Sequence, residues 1–296
     1  MNKAWINWLL FIALSFIWGS SFMLMKEGLK TFNPYQVAGV RMFFAGAVLL
    51  PFVKRSFASI EKSKLPYIVL SGLLGSFIPA ILFCMAETKI DSALAGMLNA
   101  LTPLFVILVG VLFLKMAIGR TKMLGVLIGF AGMVLVLSPN MRVNMEDLWY
   151  AALVLLATLL YGVNVNMVNR KLHQTASTEI ASISFAFFML PALLMLWLTG
   201  FFKHDFGTEA FAYAFGSAAV LGMLGTATAT ILFYILMKRA GVLFSSMVTY
   251  GIPFIALFWG LVAGEDIGLI QIAGLLIILT GVYFVNTNKK GSVKEP

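Results

Sequence analysis

Residues 82–103 read LFCMAETKIDSALAGMLNALTP, and residues 232–253 read LFYILMKRAGVLFSSMVTYGIP. Both stretches open on Leu-Phe and close on proline at the same spacing, Leu82-Phe83 to Pro103 and Leu232-Phe233 to Pro253. The correspondence continues outward. At an offset of 150, Gly72 meets Gly222, Gly75 meets Gly225, Ser76 meets Thr226 and Asn99 meets Thr249. At 149, Gly125 meets Gly274 and Gly132 meets Gly281, while Gly19 and Gly162 sit in similar stretches near the start of each copy. Short apolar matches arise by chance; a gapless run of paired Gly and Pro does not arise so easily. The chain therefore divides into two copies, residues 1–140 and 141–296.

Of the 296 residues, 61% are apolar and 11% charged. Soluble proteins carry about 25% charged residues, so a water-facing surface cannot be made from this composition. A helical span needs ~20 mostly apolar residues. Ten such runs are predicted, over about 5–25, 34–53, 65–86, 91–113, 122–138, 147–168, 177–199, 214–236, 241–262 and 269–286. Five spans per copy is an odd number, so the second copy enters the bilayer upside down. The expected fold is an all-α integral membrane protein of ten transmembrane helices in two inverted five-helix repeats. Inverted repeats of this kind place a solute site at their interface near the midplane.

The net charge of +9 is unevenly spread. With loops assigned to alternate sides, fifteen Lys and Arg fall on one side and five on the other, Arg41 remaining inside a span. Acidic residues favour the poor side. The positive-inside rule then places both termini in the cytoplasm, so the basic excess reports topology and not nucleic-acid binding. The opening run is read as an uncleaved first span, since it continues through Trp18-Gly19-Ser20-Ser21-Phe22 without an A-x-A site. The expected setting is a bacterial inner membrane, multi-pass. The single cysteine, Cys84, excludes an intramolecular disulfide and reads as a packing residue.

Lipid offers no hydrogen bonds, so polar groups at mid-depth are the candidates for a solute site. Pro103 and Pro253 lack an N–H and free the carbonyl four residues earlier. That places an unpaired acceptor beside the polar side chains of Asn99 and Thr249, or a kink satisfied by a neighbouring helix or a water. Trp18 and Ser21 of the first span, and Tyr161 and Asn164 of the sixth, supply broad faces and polar edges. Tyr234 adds a cavity hydroxyl, whereas Thr226, Thr228 and Thr230 read as helix-packing residues. Gly125-(x)3-Gly129 and Gly260-(x)3-Gly264 permit close helix approach. Arg41, a cation within a span, binds an anionic solute, neutralises helix carbonyls or snorkels outward; a structural or gating role is the favoured expectation.

All twelve acidic residues fall in loops or at span ends, with Glu27 and Glu87, both near external span ends, the exceptions to watch. Facilitated diffusion or exchange is therefore expected rather than tight proton coupling. No phosphate-binding G-x-x-x-x-G-K-[ST] loop occurs, no His, Cys and carboxylate set has metal-ligand spacing, and no nucleophile shares its depth with a histidine. A cofactor, a metal and nucleic acid are not expected. The expected partners are a small-molecule solute and the lipid bilayer; oligomeric state is open, and a monomer fits. An integral membrane enzyme acting on lipid is the reading from another class, with Glu146-Asp147 and Glu265-Asp266 but no histidine beside them.

The order and spacing of Trp18-Gly19-Ser20-Ser21-Phe22, Leu101-Thr102-Pro103-Leu104-Phe105, Ile252-Pro253-Phe254 and the Gly-spaced fifth and tenth spans resemble the drug/metabolite transporter superfamily, in its EamA-like ten-span branch. The resemblance covers nearly the whole chain. It implies export or exchange of small organic metabolites, amino acids prominent among them, by alternating access, with broad-specificity drug export as the alternative. One departure is visible: members often carry Glu after the fourth and ninth spans, and Glu265 fits while Lys115 does not.

Overall fold

The computed structural model describes residues 4–114, 120–137 and 145–286. Among them the chain is helical, with no strand. Eight segments are long and apolar enough to cross a membrane, and two shorter apolar helices, Met123–Val136 and Leu269–Phe284, fall where the fifth and tenth spans are expected.

The first copy comprises α1 (Ala4–Leu29), α2 (Pro34–Ser59), α3 (Leu65–Gly72), α4 (Ile78–Ala86), α5 (Ser92–Asn99), α6 (Thr102–Leu114) and α7 (Arg120–Leu137). The second comprises α8 (Met145–Lys171), α9 (Ser177–Leu198), α10 (Glu209–Val220), α11 (Ala229–Ser246), α12 (Val248–Val262) and α13 (Leu269–Asn286). Local chemistry sets several boundaries. Asn33 caps α2 by accepting from Gln36 N at 3.0 Å, the Gln36 side chain answers to Asn33 N at 3.1 Å, and Pro34 takes the first helical position. Gly241, at φ 85°, breaks α11 before its last residues, which separates the eighth expected span from the ninth.

Helices of one copy lie against helices of the other in reciprocal pairs. α1 packs on α12, and α6 on α8; α3 and α4 flank α8, and α10 and α11 flank α1. α2 pairs with α9 and α7 with α13. The last pair meets backbone to backbone: a Cβ on Gly132 would lie 2.6 Å from Ile278 N, and one on Gly274 2.7 Å from Val136 N. Gly264 differs from the expected close-packing role. A Cβ there would meet open space, and its φ is 78°, so it turns the chain after α12. Large apolar side chains such as Leu190 and Leu269 remain exposed on the outer surface, as a lipid-facing belt requires.

Two spans contain π turns at matching places, Leu73–Phe77 between α3 and α4, and Leu221–Thr228 between α10 and α11. Two more are interrupted. The fourth expected span breaks at Ala100 and Leu101, between α5 and α6, and the ninth is interrupted at Met247, ahead of α12. The joints share a local bond: Ala100 N donates to Met97 O, and Tyr250 N donates to Met247 O.

Candidate functional site

The two π turns and the two interrupted spans surround one cavity of about 110 Å³, several times what a single water needs. From the first copy, Trp18, Ser21 and Asn99 line it; from the second, Tyr161, Asn164, Tyr234 and Thr249 do. Arg41 reaches it from α2. Pro103 and Pro253 are buried in protein but do not line it.

The expected role of Pro103 needs correcting, whereas Pro253 does lie inside α12. Pro103 is the second residue of α6, where a missing N–H disturbs little. The Asn99 carbonyl is not left unpaired, since the Thr102 hydroxyl donates to it at 2.7 Å. What the break supplies is orientation, with Asn99 and Thr102 both turned to the cavity. Thr249 donates its hydroxyl to Ser246 O at 2.8 Å, and Ser246 also lines the wall.

Most polar groups here are already engaged. Trp18 Nε1 donates to Gly225 O at 3.0 Å, and its ring leans on Phe233 with centroids 5.3 Å apart. Asn164 Nδ2 donates to the Tyr234 hydroxyl at 3.3 Å, which lies 2.9 Å from Ser71 Oγ. Asn164 Oδ1, however, is buried without a partner among the described residues. Tyr161 stacks on Phe83 at 6.1 Å, and its hydroxyl meets no protein hydrogen-bond partner among the described residues. Gly75 leaves the space that Asn164 fills; a Cβ there would collide with the amide.

Thr226 and Thr230 line the cavity, contrary to the packing role expected of them, while Thr228 is exposed and donates to Met223 O at 2.9 Å. The pairing of Ser76 with Thr226, both in the wall, is the sequence signal that distinguishes Thr226 from its neighbours. Asn166 is a packing residue, donating to Val106 O at 2.8 Å and Gly162 O at 2.9 Å.

A second polar group gathers where α4 gives way to α5. Both carboxylate oxygens of Glu265 accept from the first N–H groups of α5, Ser92 and Ala93, at 2.9 Å each. A carboxylate at a helix N-terminus satisfies orphan donors and meets the positive end of the dipole. Glu87 is 2% exposed; one oxygen accepts from Ser92 Oγ at 3.4 Å and Oε1 has no partner among the described residues. Burial pushes the Glu87 carboxyl well above the usual range, against the pull of Lys26 and with a further push from Glu265. Asp91 is raised as well, first by burial and then by Glu265. Lys115, the repeat equivalent of Glu265, lies outside the described residues; a lysine has no acceptor with which to make such a cap. Among the described residues, no three His, Cys, Asp or Glu side chains converge as a metal site would require.

The model of the EamA-like transporter family matches residues 5–138 and again residues 148–287. The chain belongs to that family. Each EamA match covers one of the two sequence copies. A transporter of Bacillus subtilis, YoaV, is 27% identical over 282 residues, covering 93% of this chain and 94% of its own. An Archaeoglobus fulgidus transporter is 24% identical, covering 96% and 98%. A Rickettsia prowazekii protein named as an S-adenosylmethionine uptake transporter is 25% identical, covering 79% and 76%. The Escherichia coli relative YedA is named as an inner membrane transporter. A crystal structure 18% identical superposes with a TM-score of 0.63, covering 96% of this chain and 98% of its own; that likeness concerns the fold alone. The EamA assignment makes this chain a multi-pass membrane transporter.

Proposed function

We propose that the protein carries small organic metabolites, amino acids or closely related solutes, across the inner membrane by alternating access about the central cavity. In this reading the chain has ten spans, the copies 1–140 and 141–296 are inverted, and both termini are cytoplasmic. The observation that carries the reading is that both copies contribute equivalent irregularities to one cavity. The π turns hold Gly75 with Ser76 and Gly225 with Thr226, and the interrupted spans hold Asn99 and Thr249. Broken helices at membrane depth are tolerated where they line a protein cavity, and they sit at the solute site of inverted-repeat carriers.

The reciprocal pairing of helices supports a rocking motion. α7 and α13 form a tight pair that suits a fixed scaffold, while the spans around the cavity are interrupted and suit rearrangement. Trp18 and Tyr161 would stack on the solute, and Asn99, Asn164, Tyr234 and Thr249 would hydrogen-bond its polar groups. The solute in the Rickettsia relative's name carries an amino-acid end, which supports the same solute class. The test is uptake of a mixed metabolite pool into vesicles reconstituted with wild type, Trp18→Ala or Asn99→Ala. One or more pool members should accumulate with wild type and fall by at least tenfold with either variant. Equal accumulation in protein-free vesicles would refute the proposal.

A further inference from the structure

The cavity wall contains one full charge, and no described residue gives it a counter-ion. Arg41 lies two turns into α2 and is 8% exposed. Its Nε donates to Thr226 Oγ1 at 2.6 Å. Thr226 in turn donates to Leu221 O at 3.1 Å, which fixes the threonine as acceptor toward the guanidinium. Nη1 has only Met25 Sδ, at 4.0 Å, a weak acceptor. A guanidinium carries five donors in a rigid fork and stays charged. The rest of that fork meets no protein oxygen among the described residues. No described carboxylate lies within ion-pair distance of it. Glu87, the carboxyl within its electrostatic reach, is buried, raised toward its neutral form and nearer in influence to Lys26.

A buried cation at membrane depth without a partner is costly and is retained for a function. The fork faces a cavity, is held in place by Thr226, and matches a carboxylate in charge and geometry. One arginine balances one negative charge; a phosphate dianion would call for a second cation, and the cavity wall has none. Two other groups in the same wall are unclaimed, the Tyr161 hydroxyl and the buried Asn164 Oδ1. The first can donate to an anion. The second can only accept, so it requires an N–H or O–H from the occupant.

We propose that Arg41 is the anion subsite of this cavity, that the solute is a monocarboxylate bearing at least one hydrogen-bond donor, and that its carboxylate seats on the Arg41 fork with its donor toward Asn164. This rests on the transport reading above and narrows its solute class. It also replaces the structural or gating role expected for Arg41.

The test uses purified full-length protein and matched probes: L-methionine, L-phenylalanine and L-threonine, each beside its carboxamide. At least one free acid should raise the melting temperature, and its amide should shift it by less than a tenth as much. Arg41→Gln should abolish the acid's effect, and Arg41→Lys, with charge but no fork, should weaken binding at least tenfold. The ligand-free melting temperature of Arg41→Gln should equal or exceed that of wild type, because an unbalanced charge is removed; a marked fall would identify a structural arginine and overturn the assignment. Thr226→Val, which loosens the fork without removing it, should bind the acid several-fold more weakly. An amide that binds like its acid, an acid that still binds Arg41→Gln, or failure of all three acids would each overturn it. The transport reading is separable. Uptake of neutral pool members unaffected by Arg41→Gln would leave transport intact and remove the subsite, whereas no uptake by wild type would remove both.

Discussion

The indole Nε1 of Trp18 lies 3.0 Å from the carbonyl oxygen of Gly225, so α1 is tied to the π turn between α10 and α11. A π turn shifts the helical hydrogen bonds by one residue and so disturbs local pairing, and Trp18 takes up an acceptor in the middle of it. The same residue offers its ring to the cavity. Trp18→Phe keeps an aromatic face, though a smaller one, and deletes the donor. Leaving a buried acceptor unsatisfied costs about 1–3 kcal/mol. A lower melting temperature in detergent is expected, together with reduced uptake. A variant as stable as wild type would show that the bond does not hold the turn.

Glu265 makes a comparable tie, joining the segment after α12 to the start of α5. Loss of a helix cap costs about 0.5–2 kcal/mol. Glu265→Ala should lower the unfolding free energy by that amount, with a lower melting temperature, and increase amide exchange in residues 92–99, while Glu265→Gln, which keeps one acceptor, should fall between. Unchanged exchange in that segment would contradict the capping role.

The helices are legible in the sequence because a bilayer demands long apolar runs, and polar residues such as Asn99 and Asn164 stand out within them. The Gly and Pro spacing likewise identifies the segments that meet at the cavity. Other features depend on three dimensions. Thr226, Thr228 and Thr230 occupy one run, and the π turn decides which of them face inward. Pro103 suggests a mid-span kink, yet the chain breaks before it, at Ala100 and Leu101, and the Thr102 hydroxyl engages the Asn99 carbonyl. Glu87 stands at a span end in sequence, but it is buried, with Ser92 of α5 donating to it. Arg41 is visible as an isolated charge, and its lack of a counter-ion emerges only when its neighbours are in place.

Glu87 also sets a pH dependence. Its carboxyl is held above the ordinary 4.5, with burial the leading cause. The folded protein then holds the proton more tightly than the unfolded chain, and stability is complete below about pH 4.5 and falls as pH rises through the folded value. Asp91 is raised in the same direction and leaves a residual slope. Melting temperature followed from about pH 5 to about pH 9 should decline for wild type and decline less for Glu87→Gln. Identical slopes would place the titration elsewhere.

The α7–α13 contact sets the last expectation. A Cβ on Gly281 would lie 2.6 Å from Gly125 O and 2.8 Å from the Cα of Gly129, so the neighbouring atoms are backbone and cannot rotate away. Membrane helices gain by such close approach because dispersion, and not water, drives their association. Gly281→Leu must therefore part the pair, with an overpacking cost of about 1–3 kcal/mol. Because this pair lies away from the cavity lining, the variant should lose thermal stability while the fraction that remains folded binds solute with wild-type affinity. Reduced affinity in the folded fraction, measured below its melting transition, would mean that the pair takes part in the transport movement and is not a passive scaffold.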